Sequence, residues 1–229
     1  MGSEIAGKRA AGYTAVDRFV QNNTCIGLGT GTTAFYAIER VGQRIAAGER
    51  IVAVATSIET ERLCGQQHIP VVALLEREIA VAIDGADQIA PDWALTKGGG
   101  GALFREKAVA LCAKRFVIVA TPSKLVPALG AFPLPVEIVP YAMPYVVREI
   151  GSLQPDIEIV RRGRDAPFVT DNGNWILDCH FGEIDRPAAL DSVLKSVHGV
   201  VASGIFAGLA NDVVIGREDE TAIMLPQNG

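Results

Sequence analysis

Short apolar runs rich in Val and Ile alternate with segments of helical periodicity through the first half of this chain. Residues 24–28 (TCIGL) run into GTGTTA, after which Phe35, Ile38, Val41 and Ile45 recur at helical spacing. IVAVAT (51–56) precedes a helix expected from Ser57 to about Gln67, with Thr56 and Glu59 placed as a capping box. VVALL (71–75) reads as a strand, as do residues 79–83 and FVIVAT (116–121), with a helix expected over 102–114. An opening helix over 4–21 carries Ile5, Val16, Phe19 and Val20 among charges. Strands that are apolar along their whole length, separated by helices, demand an α/β fold: a mainly parallel sheet with helices on both faces.

The pattern changes after Pro122. FPLPVEIVPYAMP is rich in proline, residues 145–150 look helical, and DIEIVRR and FVTDNGNWILDC flank turn signals that include Asn172-Gly173. With a helix at 187–196, these elements predict a smaller α+β domain over 130–199, and a larger sheet domain over 1–129 and 200–229. VVASGIF and DVVIG read as strands that either return to the first sheet or close the second unit.

Composition narrows the function classes. An apolar fraction of 49% over 229 residues supports a sizeable core. The net charge of −5, with both signs interspersed, offers no basic stripe for nucleic acid and no polybasic segment for a membrane surface. No apolar run approaches the ~18–20 residues of a membrane span, and the N-terminus does not read as a signal peptide, so a cytoplasmic protein is expected. Cys25, Cys64, Cys112 and Cys179 lie far apart without metal-ligand spacing and read as buried free thiols. His68, His180 and His198 are scattered and read as structural or exposed.

Two segments carry chemistry. In Gly29-Thr30-Gly31-Thr32-Thr33-Ala34 a strand turns into a helix, whose first N–H groups and dipole suit a phosphate, with the threonine hydroxyls expected to face outward. A tight strand-to-helix turn accounts for the same residues without a ligand. The loop lacks the lysine of a nucleotide-binding P-loop. The acidic ribose ligand of a dinucleotide fold is also missing, since the next strand ends in Thr56 and Ser57.

The second segment is DGADQIAPDWALTKGGGGALFREK (84–107). Four consecutive glycines weaken any helix or strand, a cost that makes sense where backbone N–H groups approach a ligand. Asp84 and Asp87 follow a strand at the end where open parallel sheets place ligands. Lys97 adjoins the glycines, and Glu106 falls in the opening turns of a helix, whereas Arg105 and Lys107 read as surface. Together they offer a carboxylate base, a cation for a developing oxyanion, and two carboxylates to shuttle hydroxyl protons. Proton abstraction next to a carbonyl on a phosphorylated substrate is the reaction class these residues fit.

These motifs, with FPLPVE, VTDNGN and GIFAG in order along nearly the whole chain, resemble the type A ribose-5-phosphate isomerase family. The resemblance implies a Rossmann-like catalytic domain plus a smaller α+β domain, and interconversion of D-ribose 5-phosphate and D-ribulose 5-phosphate in the non-oxidative pentose phosphate pathway. It further implies a metal-independent cis-enediolate route, no cofactor, and a homodimer or homotetramer. Carried onto this sequence, it assigns substrate binding to Thr30, Gly31, Thr32 and Thr33, to Asp84, Gly85, Ala86 and Asp87, and to Lys97, Gly98, Gly99 and Gly100. Glu106 matches the proton acceptor, Asp84, Asp87 and Lys97 match its catalytic partners, Lys124 a substrate-contacting lysine and Lys8 a basic residue near the phosphate. The chain departs from the pattern at Gln88, where the family commonly has Glu, and at Gly101. The competing readings are a non-catalytic sugar-phosphate sensor on the same fold and an NAD-linked oxidoreductase.

Overall fold

The computed structural model describes residues 2–225. In chain order the elements begin with α1 (Gly2–Phe19), β1 (Thr24–Leu28), α2 (Ala34–Ala46), β2 (Ile51–Ala55), α3 (Ile58–Gln66) and β3 (Ile79–Asp84). There follow β4 (Gln88–Ile89), β5 (Leu95–Thr96), α4 (Leu103–Cys112), β6 (Phe116–Ala120), β7 (Leu134–Ile138), α5 (Met143–Leu153), β8 (Glu158–Arg161) and β9 (Trp175–His180). The last are α6 (Pro187–Ser196), β10 (Val200–Ser203), β11 (Ile205–Phe206), β12 (Asp212–Gly216) and β13 (Ala222–Met224).

Among the described residues, contacts divide the chain into two compact units, one of residues 2–86, 105–125 and 209–225, the other of 87–104 and 126–208. In the first, a six-stranded sheet runs β13-β12-β6-β3-β1-β2, parallel throughout except for β13. Side chains alternate across it. Ile26, Leu28, Val81, Ile83, Val117 and Val119 face a core shared with Ala11, Ala15 and Val16 of α1 and Ile38 and Val41 of α2. On the opposite face, Gly27 leaves room for Val109 of α4: a Cβ at Gly27 would stand 2.4 Å from the Val109 Cγ1. The helices thus cover both faces, as the strand pattern requires.

The second unit holds an antiparallel sheet ordered β10-β7-β9-β8 and a three-stranded sheet ordered β11-β5-β4. Leu134, Val136 and Ile138 of β7 pack with Val146 and Ile150 of α5, Leu194 of α6, and Leu177 and Cys179 of β9. On the other face of β7, the fully buried Glu137 carboxylate accepts hydrogen bonds from Thr170 Oγ1 (3.0 Å), Asn174 Nδ2 (2.9 Å) and Asn172 Nδ2 (3.3 Å). One buried acceptor thereby fixes the turn that contains Asn172-Gly173.

Several expectations differ from the structure. The compact units assign 87–104 and 200–208 to the smaller one, because β4 pairs with β5, β5 with β11 and β10 with β7, whereas β12 returns to the parallel sheet. VVALL forms no strand beyond a single bridge from Val71 to Ala53, and Leu75 takes φ 66° with its side chain exposed. The cap of α3 is Ser57, the residue directly before the helix, which accepts from the Thr60 N–H at 2.9 Å, while the Thr56 hydroxyl donates to the Leu28 carbonyl. Cys25, Cys64 and Cys179 are buried, and Cys112 only half-buried. Burial pushes the thiols of Cys64 and Cys179 up to about 12. All three histidines are exposed. Among the described residues no helix is long and apolar enough to cross a membrane.

Candidate active site

In the first unit, the candidate residues gather at the carboxyl ends of the parallel strands, where first-turn helix N–H groups and strand ends converge. Asp84 ends β3 and is 2% exposed, and Gly29 follows β1 directly beside it. The Gly29 N–H donates to the Ile83 carbonyl at 2.9 Å, and a Cβ at Gly29 would fall 2.0 Å from Asp84 Oδ1. Glycine is required at 29 because the Asp84 carboxylate occupies the space a side chain would need. Asp84 Oδ1 also accepts from the Gly85 N–H at 2.7 Å, which fixes that oxygen against its own backbone. Ala86 closes this segment.

Glu106 occupies the first turn of α4 and is 5% exposed. It lies one turn before Val109, the residue packed against Gly27 of β1, so the two share the helix face turned to the sheet. Because α4 leads into β6 from the carboxyl side, Glu106 and Asp84 are buried carboxyl groups at the same end of one sheet. Lys107 is also buried, against the expectation of a surface residue, while Arg105 is half-buried.

The loop Gly29–Thr33 differs from expectation in one respect. The Thr30 hydroxyl does not face outward: it bonds to Ser57 Oγ (2.8 Å), Thr56 Oγ1 (3.0 Å) and Thr60 Oγ1 (3.0 Å), and Thr60 Oγ1 in turn donates to the Gly29 carbonyl at 3.0 Å. Thr30 therefore anchors the loop to the start of α3. Gly31 and Thr32 are exposed and Thr33 half-buried ahead of α2, leaving backbone N–H groups and these two hydroxyls as the groups suited to a phosphate.

Lys124 lies on the short turn after β6, at the same end of the sheet. Lys8 of α1 pairs with Glu4 at 2.7 Å. Its neighbour Gly7 packs on Gly216, the last residue of β12, which places this part of α1 at the carboxyl end too. A cavity of about 510 Å³ opens there, lined by Glu4, Gly7, Thr121, Ser123 and Arg217 among others. The hydrogen bond from Lys8 and, less strongly, the charge of Lys124 hold the Glu4 carboxyl below its usual range.

In the second unit, the remaining candidates converge on a glycine turn. The Asp87 N–H donates to the Thr96 carbonyl at 2.8 Å, and its carboxylate Oδ2 accepts from the Gly99 N–H at 2.7 Å. Lys97 is 3% exposed, with its ammonium 5.5 Å from the centre of the Phe206 ring. Gly98 and Gly101 take φ 109° and 83°, and the Gly101 N–H closes the turn on the Gly98 carbonyl at 2.9 Å. Those left-handed angles explain why glycines stand there. Gly100 completes the turn. Gln88 is buried and its Oε1 accepts from the Gly130 N–H at 3.0 Å, an acceptor role that a glutamate would also fill.

Sequence reasoning missed Arg162 and Asp178 beside this turn. Arg162 Nη1 donates to the Gly98 carbonyl at 2.7 Å and to that of Gly99 at 3.2 Å. Its other edge forms a two-pronged pair with Asp178, Nε to Oδ2 at 2.9 Å and Nη2 to Oδ1 at 2.5 Å. No local signal marks either residue; only the β8–β9 pairing brings them together.

Among the described residues no group of three or more His, Cys, Asp or Glu is placed to hold a metal ion.

Comparison with known proteins agrees along the chain. Residues 52–220 match the model of the family described as ribose 5-phosphate isomerase A (phosphoriboisomerase A). A ribose-5-phosphate isomerase A of Methanothermobacter thermautotrophicus is 42% identical over 95% of this chain and 96% of its own. A ribose 5-phosphate isomerase structure from Plasmodium falciparum superposes with a TM-score of 0.93 at 34% identity, covering 100% of both chains. A further structure, a D-ribose-5-phosphate isomerase in complex with phospho-erythronic acid, gives 0.90 at 35% identity, covering 95% of this chain and 96% of that one.

Proposed function

Because the chain belongs to the ribose 5-phosphate isomerase A family, we propose that it interconverts D-ribose 5-phosphate and D-ribulose 5-phosphate through a cis-enediolate, with Glu106 moving the proton. In this reading Glu106 takes the proton from C2 of the open-chain aldose, and the electron pair moves through C1 onto O1. Lys97 and the N–H groups of Gly98 and Gly100 stabilise that oxygen, while the Gly99 N–H stays with the Asp87 carboxylate. Asp84 carries the O2 proton to O1, and Glu106 returns its own proton to C1 to give the ketose. Asp87 orients hydroxyl groups, and the phosphate is held by the N–H groups at Gly31–Thr33 with Lys8 and Lys124. The product and substrate are isomers, so no oxidant or reductant enters.

The observation that carries this reading is the burial of Asp84 and Glu106 at the carboxyl end of one parallel sheet. Burying two acids at one end of a sheet is costly, and proton transfer gives that cost a chemical reason. Phospho-erythronic acid, bound by a structural relative, supports it chemically. Its planar anionic carboxylate resembles an enediolate.

The chain is expected to act in the cytoplasm as a homodimer or homotetramer, which sedimentation velocity separates. A coupled assay with ribose 5-phosphate, run with and without EDTA, tests the activity. Equal turnover in both is expected; tight binding without turnover would instead identify a sugar-phosphate sensor.

A further inference from the structure

The glycine turn at 97–101 presents a problem of order. It carries the lysine and N–H groups assigned to the developing oxyanion, yet glycine is the residue that loses most freedom when fixed. Something outside the turn must hold it, because no side chain within Gly98–Gly101 can.

The structure supplies two grips. On one side the Asp87 carboxylate holds the Gly99 N–H at 2.7 Å. On the other, Arg162 holds the carbonyls of Gly98 and Gly99 at 2.7 and 3.2 Å. Arg162 is itself fixed at several points. Its guanidinium is paired in two places with Asp178 of β9, and both side chains are mostly buried, at 17% and 18% exposure. Its backbone N–H donates to the Ile176 carbonyl at 2.8 Å, and its carbonyl accepts from the Phe168 N–H at 2.9 Å. The Phe168 ring then lies 5.9 Å from the guanidinium and fills the space where a Cβ of Gly101 would be, 2.4 Å from that position.

We propose that Arg162, braced by Asp178, is a positioning residue for catalysis, fixing the Lys97–Gly101 turn and strengthening its N–H donors; this rests on the isomerase reading above. The second effect follows from peptide electronics. A cation on the carbonyl oxygen of one residue polarises the peptide group and makes the N–H of the next a stronger donor: here that of Gly99, which tightens its bond to Asp87, and that of Gly100, which serves the oxyanion. A planar guanidinium suits the task because it reaches the two carbonyls with one nitrogen while its other edge meets the carboxylate; a single ammonium cannot keep both arrangements.

Groups that act on the oxyanion affect the transition state more than the bound substrate, so their displacement appears in kcat. Arg162→Met should lower kcat by about 10- to 100-fold, the scale of an ångström-sized misplacement. KM should stay within about threefold of the wild type. Affinity for phospho-erythronic acid should fall in step with kcat/KM. In Arg162→Ala, added guanidinium ion should restore part of kcat where equal sodium chloride does not. A kcat within about twofold of the wild type in Arg162→Met overturns the proposal. So does a loss confined to KM with analogue affinity unchanged. Should Arg162→Met fail to fold, Arg162→Lys carries the test: a kcat-selective loss supports the clamp, and wild-type kcat overturns it. The wild-type protein is assayed alongside. Absence of turnover there would overturn the isomerase reading, whereas an active wild type with an unaffected variant would overturn the clamp alone.

Discussion

At the residue scale, the site is built from contacts that leave no room for alternatives. Gly29 is the clearest case, since an added Cβ would lie 2.0 Å from Asp84 Oδ1 and 2.6 Å from the Asp84 Cβ. Gly29→Ala should therefore cost about 1–3 kcal/mol, the usual range for overpacking, and should lower kcat by displacing the carboxylate. Urea unfolding with steady-state kinetics checks both, and a variant unchanged in both would contradict the contact. The glycines and charges of 84–107 were legible in sequence because such a cluster has little packing logic. The inward turn of the Thr30 hydroxyl was not, since its partners Ser57 and Thr60 lie on another element. Lys107 was misread as surface because nothing in FREK distinguishes the buried side of a short helix from the exposed one.

At the element scale, strands long enough to show a pattern were readable and the shortest were not. The two-residue strands β4, β5 and β11 carry no periodicity, and they exist only through pairing with one another. VVALL shows the converse: an apolar run without a neighbour to extend its single bridge stays a loop. The Asn172-Gly173 turn was visible, but its anchor was not, because Glu137 lies on β7, some distance away in sequence. That anchor predicts a graded effect. Glu137→Ala would leave the Thr170, Asn172 and Asn174 donors without their acceptor and should destabilise by at least about 1–3 kcal/mol. Glu137→Gln keeps an acceptor oxygen and should cost less. Chemical denaturation ranks them, and equal stability of the two variants would remove the anchor from the account.

At the scale of the whole molecule, alternating strands and helices were enough to specify the parallel sheet and its two covered faces. The division between units was harder to read. β10 and β11 belong to one unit and β12 to the other, although VVASGIF and DVVIG look alike as sequence. Only hydrogen-bond register separates them. What the account finally rests on is Glu106, a carboxyl group 5% exposed on the first turn of α4. The most direct test is steady-state isomerisation of ribose 5-phosphate by the wild type and by Glu106→Gln, with the unfolding midpoint of each measured in parallel. A kcat at least ~100-fold lower in the variant, the contribution of a general base, is expected with the midpoint unchanged; near-normal turnover by Glu106→Gln would remove Glu106 from the role of proton acceptor.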